Sequence, residues 1–177
     1  MYVGQIYFTD IANGIGCRTA MFVSGCTHHC KGCFNEETWD FHYGHPYTTE
    51  IEDKIIASLK PDHIDGLTIL GGEPMELVNQ ASIRPLIDRV RREVPNKTIW
   101  IYSGYTFEEL TDPNNQRCHG KDTDAILSQI DILVDGEFVL EEKDITLRFR
   151  GSRNQRIIDV PETLKQGNIV LSAYADR

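Results

Sequence analysis

The sequence lacks long apolar runs, basic stretches, internal repeats and low-complexity tracts, and each absence excludes something. Without an unbroken apolar run of about 20 residues, no membrane span is expected. Residues 1–10 carry polar and acidic residues where a secretory signal has a basic start and an unbroken apolar run, so the sequence reads as cytoplasmic. Lys and Arg number 18 against 27 Asp and Glu, a net charge of −9. An acidic chain without a basic tract is poorly suited to a phosphate backbone, so nucleic acid is not an expected partner. No Gly/Ser linker or shift in composition marks a boundary, and residues 1–177 read as one domain.

What is there is an ordinary globular composition, 40% hydrophobic and 25% charged, long enough to bury a core without disulfides. The cysteines are an odd five, three of them within residues 26–33. In a reducing compartment, cysteines so clustered are more often metal or redox ligands than disulfides.

Short apolar runs alternate with longer amphipathic ones. Residues 6–8, 19–24, 66–70, 98–102 and 130–134 read as strands, with weaker strand candidates at 145–149 and 168–171. Residues 49–59, 80–93, 106–110 and 123–129 read as helices. Thr/Glu capping boxes mark two of them, at Thr49 with Glu52 and at Thr106 with Glu109. Strand alternating with helix implies an α/β fold with parallel pairing and crossovers. In such folds, sites gather at the carboxyl ends of the strands. The chemically suggestive stretches fall there: the cysteine loop, residues 71–74, residues 103–105 and residues 135–138.

Cys26, Cys30 and Cys33 form a C-x3-C-x2-C pattern in a loop relaxed by Gly25 and Gly32. Three thiolates suit three corners of a [4Fe–4S] cube whose fourth iron stays open to a ligand. The spacing alone also accommodates a Cys3His zinc site. His28, His29, His42, His45, Cys17 and Cys118 are candidate fourth ligands for it.

The cysteine pattern followed by an aromatic, Phe34, resembles the signature of radical S-adenosylmethionine enzymes, and the Gly-Gly-Glu-Pro run at 71–74 strengthens the match. The sequence more closely resembles the anaerobic ribonucleoside-triphosphate reductase activating proteins. Asp10-Ile-Ala-Asn-Gly-Ile-Gly-Cys-Arg18, Cys33-Phe-Asn-Glu-Glu-Thr-Trp39, Trp100-Ile-Tyr-Ser-Gly-Tyr105, Leu133-Val-Asp-Gly-Glu-Phe138 and Arg150-Gly-Ser-Arg-Asn-Gln-Arg156 carry that resemblance. Residues 113–120, with Cys118, stand out as an insertion, and Phe34 takes a place where Tyr is common.

The resemblance implies a partial, open TIM-like barrel of parallel strands with outer helices. It implies a [4Fe–4S] cluster held by Cys26, Cys30 and Cys33, with S-adenosylmethionine on the fourth iron. Reductive cleavage would give a 5′-deoxyadenosyl radical that makes a glycyl radical on the large subunit of anaerobic ribonucleotide reductase. An electron donor such as a flavodoxin-type protein is a further expected partner. Gly71, Gly72 and Glu73 are expected at the methionyl group, and Gly32, Cys33 and Phe34 on the adenine side. Ser103 and Asp135 read as contacts to the cofactor's polar groups or, alternatively, as a turn serine and a cap on a strand-end turn. Arg18 reads either as a counter-charge to the cofactor or as a surface or ion-pair residue. His28 and His29 read as solvated loop residues, Cys17 and Cys118 as non-ligands, and Trp39 and Trp100 as packing. The competing readings are a radical enzyme acting on a small molecule and a zinc-binding interaction module.

Overall fold

Strands too short to stand alone are stabilised here by lying side by side and burying both faces. The computed structural model describes residues 1–175. In chain order the strands are β1 (Tyr2–Asp10), β2 (Arg18–Val23), β3 (His45–Pro46), β4 (Gly66–Gly71), β5 (Thr98–Ser103), β6 (Ile132–Asp135) and β7 (Arg156–Asp159). The helices are α1 (Thr49–Leu59), α2 (Leu77–Glu93), α3 (Phe107–Thr111), α4 (Thr123–Leu127) and α5 (Val160–Gln166). All seven strands form one unclosed sheet in the order β3-β1-β2-β4-β5-β6-β7.

The expected parallel pairing holds for the central strands β2, β4, β5 and β6. The edges differ: β1 pairs antiparallel with β2 and β3, and β7 antiparallel with β6. Residues 11–17, between β1 and β2, are too few for a crossover, which forces the chain to double back.

Alternation along the strands sorts the core into two faces. Met21, Leu67, Ile69, Ile99, Ile101 and Leu133 point to the helices, where Ile55, Ile56 and Leu59 of α1 and Ile83, Leu86, Ile87 and Val90 of α2 meet them. On the other face Ala20 lies beside Thr68, Trp100 and Ile132 in register. Trp100, Ile132, Val134 and Ile157 there form a smaller cluster with Ala175.

Several expected elements shift or fail. Thr48, not Thr49, caps α1, accepting from the Ile51 N–H. The capping box at Thr106 and Glu109 is present. Residues 145–149 alternate like a strand but are a turn: Asp144 accepts from the backbone and hydroxyl of Thr146, and Phe149 is left-handed at φ 61°. Residues 168–171 contribute one isolated bridge, Leu171 to Ile158, after a left-handed Gly167 ends α5. Strand β7 has no counterpart among the expected strands, because four residues carry no readable period. Helix α5 had a legible start in Asp159, Pro161 and Glu162.

Arg18 is neither a counter-charge at the site nor a surface residue. It is fully buried at the amino ends of the parallel strands. Its guanidinium donates to Thr68 Oγ1 (2.7 Å), Thr98 Oγ1 (2.9 Å), Leu67 O (2.9 Å) and Thr98 O (3.1 Å), and lies 5.3 Å from the Trp100 ring. Burial lowers its pKa to about 10, and Asp65 partly opposes this. Arg18→Met strands those acceptors and is expected to cost about 3 kcal/mol. Arg18→Lys should also destabilise, because an ammonium lacks the planar fork. A lower denaturation midpoint at unchanged slope in the metal-free protein is the result to look for.

Candidate functional site at the carboxyl ends of the strands

A cavity of about 450 Å³ opens at the carboxyl ends of β4, β5 and β6, and Cys26, Cys30 and Cys33 all lie on its wall. The loop that carries them is shaped by its backbone. Gly25 is left-handed at φ 98° against the Phe41 ring, and its N–H donates to Thr38 O at 2.7 Å. The Cys33 N–H closes a turn on Cys30 O at 3.1 Å. Thr27 donates its backbone N–H (2.8 Å) and hydroxyl (2.5 Å) to Glu76, a buried carboxylate that the sequence reading passed over.

Burial pushes the Cys26 thiol up to about 12, opposed by the His28 and His29 N–H groups. Burial also raises Cys30, opposed by the Phe138 N–H. Metal binding at these sulfurs therefore displaces protons. Among the described residues no three His, Cys, Asp or Glu side chains converge to hold a single ion.

The other expected residues fall into two groups. Gly32, Phe34, Gly71, Gly72, Glu73 and Ser103 are on the cavity wall, Phe34 at its mouth with 87% exposure. Asp135 is not on it. Its side chain follows Leu133 to the helix face, where it accepts from Arg156 Nε (2.9 Å) and the Phe107 N–H (2.8 Å), and Gly136 takes the wall position. Cys17 and Cys118 lie off the wall, Cys118 buried with its thiol 3.3 Å from Glu109 O. The loop before α4 reaches the cysteine-bearing loop nonetheless: Arg117 donates to Thr27 O at 3.3 Å. Trp100 packs as expected, whereas Trp39 is on the cavity wall and stacks on His29 at 4.6 Å.

The glycines have a reason of their own. A Cβ on Gly72 would sit 2.7 Å from Gly25 O and 2.8 Å from Thr38 O, and Gly71 is left-handed at φ 112°. Backbone N–H groups of Gly72 and Glu73 donate to Val23 O and Gly25 O, each at 2.8 Å. This run seats the cysteine loop on the end of β4.

Glu73 is 1% exposed, and its carboxylate is already surrounded. The Met75 N–H (2.8 Å) and Ser103 hydroxyl (2.8 Å) donate to one oxygen. The Gly104 N–H (2.6 Å) donates to the other, which also lies 3.0 Å from His28 Nε2. The hydroxyl of Ser103 also accepts from the Tyr105 N–H at 3.1 Å. His28 corrects the expectation of a solvated residue. Its side chain is 3% exposed, with Nδ1 2.6 Å from Glu137 and the ring 4.3 Å from Tyr105. Burial opposes charge on the imidazole, but Glu73 and Glu137 outweigh it, and the pKa is raised. No spacing signal announces this contact, because Glu137 is 109 residues away.

Residues 12–158 match the family described as a 4Fe-4S single cluster domain. Over 155 residues, 86% of this chain and 94% of the relative, the sequence is 47% identical to the anaerobic ribonucleoside-triphosphate reductase-activating protein of Vibrio cholerae. The chain belongs to this family of activating proteins. The Escherichia coli K12 member is 41% identical over 153 residues, 85% of this chain and 94% of that one. The member from bacteriophage T4 is 34% identical over 159 residues, 89% of this chain and 93% of that one.

Two variants test this geometry. Gly72→Ala is expected to destabilise the metal-free protein by about 1–3 kcal/mol through overpacking. It should therefore lower iron and sulfide uptake together with any cofactor affinity. His28→Ala should speed amide exchange at Gly104 about tenfold in the metal-free protein, through loss of a charge-assisted bond to Glu73. Exchange mapped by mass spectrometry checks it, and the helices should be unaffected.

Proposed function

We propose that this member of the family holds a [4Fe–4S] cluster through Cys26, Cys30 and Cys33 and uses it with S-adenosylmethionine. In this reading it generates a glycyl radical on the large subunit of anaerobic ribonucleotide reductase. The observation that carries it is the meeting of those three cysteines and residues 71–73 on one cavity wall. Family membership supports it, since the relatives are named as activators of that reductase.

A [4Fe–4S] cluster held by Cys26, Cys30 and Cys33 would supply, when reduced, the one electron that cleaves a C–S bond of bound S-adenosylmethionine, the chemistry needed to remove a hydrogen atom from a glycine Cα. The protein supplies position and exclusion of water. In this reading the unclosed sheet belongs to the partial, open barrel type of radical S-adenosylmethionine enzymes, formed by the whole chain as one domain. Gly71 and Gly72 bring the chain close to the methionyl group, and Gly32, Cys33 and Phe34 flank the adenine. Glu73 and Ser103 act mainly by holding the β4 and β5 ends in place. Asp135, through Arg156, steadies Gly136 on the wall. A flavodoxin-type donor provides the electron, and the reaction belongs in the cytoplasm. No helix among the described residues is long and apolar enough to cross a membrane.

Single replacement of Cys26, Cys30 or Cys33 by Ala should abolish cluster assembly, while Cys17→Ala and Cys118→Ala retain it. Iron and sulfide analysis after anaerobic reconstitution decides, and a normal cluster in Cys30→Ala would sink the ligand assignment. Reduced wild-type protein mixed with S-adenosylmethionine and the large subunit should give a glycyl radical doublet by electron paramagnetic resonance. Deuterium at the target Cα should appear in 5′-deoxyadenosine. Efficient cleavage with no radical on the large subunit would favour a small-molecule substrate.

A further inference from the structure

A second hollow, of about 290 Å³, lies outside the site described above. Tyr7, Phe22, Phe34 and Tyr43 give it ring surface, and Glu37 gives it a carboxylate. No Lys, Arg or His lines it among the described residues. Phe34 also stands at the mouth of the cysteine-walled cavity, so the two openings share a wall.

The hollow is built on the sheet face turned away from α1 and α2. Tyr7 pairs with Ala20 and Gln5 with Phe22 in register, which puts Tyr7 and Phe22 on the face of Ala20. Their rings meet edge to face with centroids 5.8 Å apart. Tyr43 lies close against β1 because residue 4 is glycine: a Cβ there would sit 2.9 Å from the Tyr43 ring. The Ser24 hydroxyl holds the same residue from behind, donating to its carbonyl at 2.8 Å. Beside the ring, the Glu37 carboxylate accepts from the Tyr43 phenol and raises its pKa.

Aromatic rings present a negative π face, and a carboxylate without a counter-charge completes the chemistry of a cation site. Tyr7 is 49% exposed and Phe34 87%, so this ring surface is open to a partner. Glu36 and Asp40 flank Glu37 in a chain of net charge −9, and that field draws positive groups. A protein segment that reaches the cysteine-walled cavity past Phe34 lies next to the hollow. We infer that the hollow takes a lysine or arginine side chain of the large subunit and so anchors that partner beside the cavity mouth. This rests on the activating function proposed above.

Glu37→Gln removes the charge and keeps the shape, and Tyr7→Leu removes a π face and keeps bulk. Neither residue belongs to the set assigned to cluster or cofactor. Affinity of the reconstituted protein for the large subunit, measured by anaerobic calorimetry, should fall about fivefold in each variant. Added salt should weaken wild-type binding more steeply than binding by Glu37→Gln. Iron content and partner-free cleavage of S-adenosylmethionine should match wild type. Alanine replacement of exposed Lys and Arg residues on the large subunit should find one whose effect is not additive with Glu37→Gln. Unchanged affinity in either variant overturns the inference, as does a loss that tracks lower iron content or couples to no basic residue. A dimer of the chain alone that Glu37→Gln dissolves gives the hollow to a second copy and also overturns it. Wild-type protein that makes no radical on the large subunit defeats the activating function itself; wild-type success with unimpaired variants defeats only this inference.

Discussion

Burying the Glu73 carboxylate is the constraint on which the site depends. A carboxylate withdrawn from water is costly unless its oxygens are bonded. Here four groups approach those oxygens: the backbone of its own turn, the hydroxyl and backbone that end β5, and the imidazole of the cysteine loop. His28 then reaches Glu137 after β6. The ends of β4, β5 and β6 and the cysteine loop thus share one polar centre. Losing any one segment leaves a buried charge short of partners, so the segments order together.

The two ends of the sheet divide the work. At the amino ends Arg18 ties β2, β4 and β5 through carbonyls and hydroxyls. At the carboxyl ends glycines replace side chains so that loops can approach. Gly72 admits the Gly25 and Thr38 carbonyls, and left-handed Gly71 turns the chain away from β4. The same approach that seats the cysteine loop leaves the three thiols on a cavity wall. Structural and chemical demands on the Gly-Gly-Glu run therefore coincide, and a substitution there tests both at once.

Much of the frame was legible beforehand. Helical spacing identified the buried faces of α1 and α2, and apolar runs located the parallel strands. Residues 145–149 misled because alternation is a local pattern, whereas a strand needs a partner. Asp144 captured Thr146 and made a turn instead. A strand-end position alone leaves Asp135 open to a cofactor contact or a structural one; the alternation that directs Val134 inward directs Asp135 to the helices, where the Phe107 N–H and Arg156 meet it.

The sequence by itself determined the family, the three clustered cysteines, the glycine run and the α/β rhythm. These are carried by residue type and short spacing, which survive without coordinates. Only the tertiary structure decided that Arg18 is a buried tie and that His28 bridges Glu73 and Glu137. Those relations join residues tens to over a hundred positions apart, and no local pattern encodes a contact made when separate strand ends are brought together by the packing of the sheet.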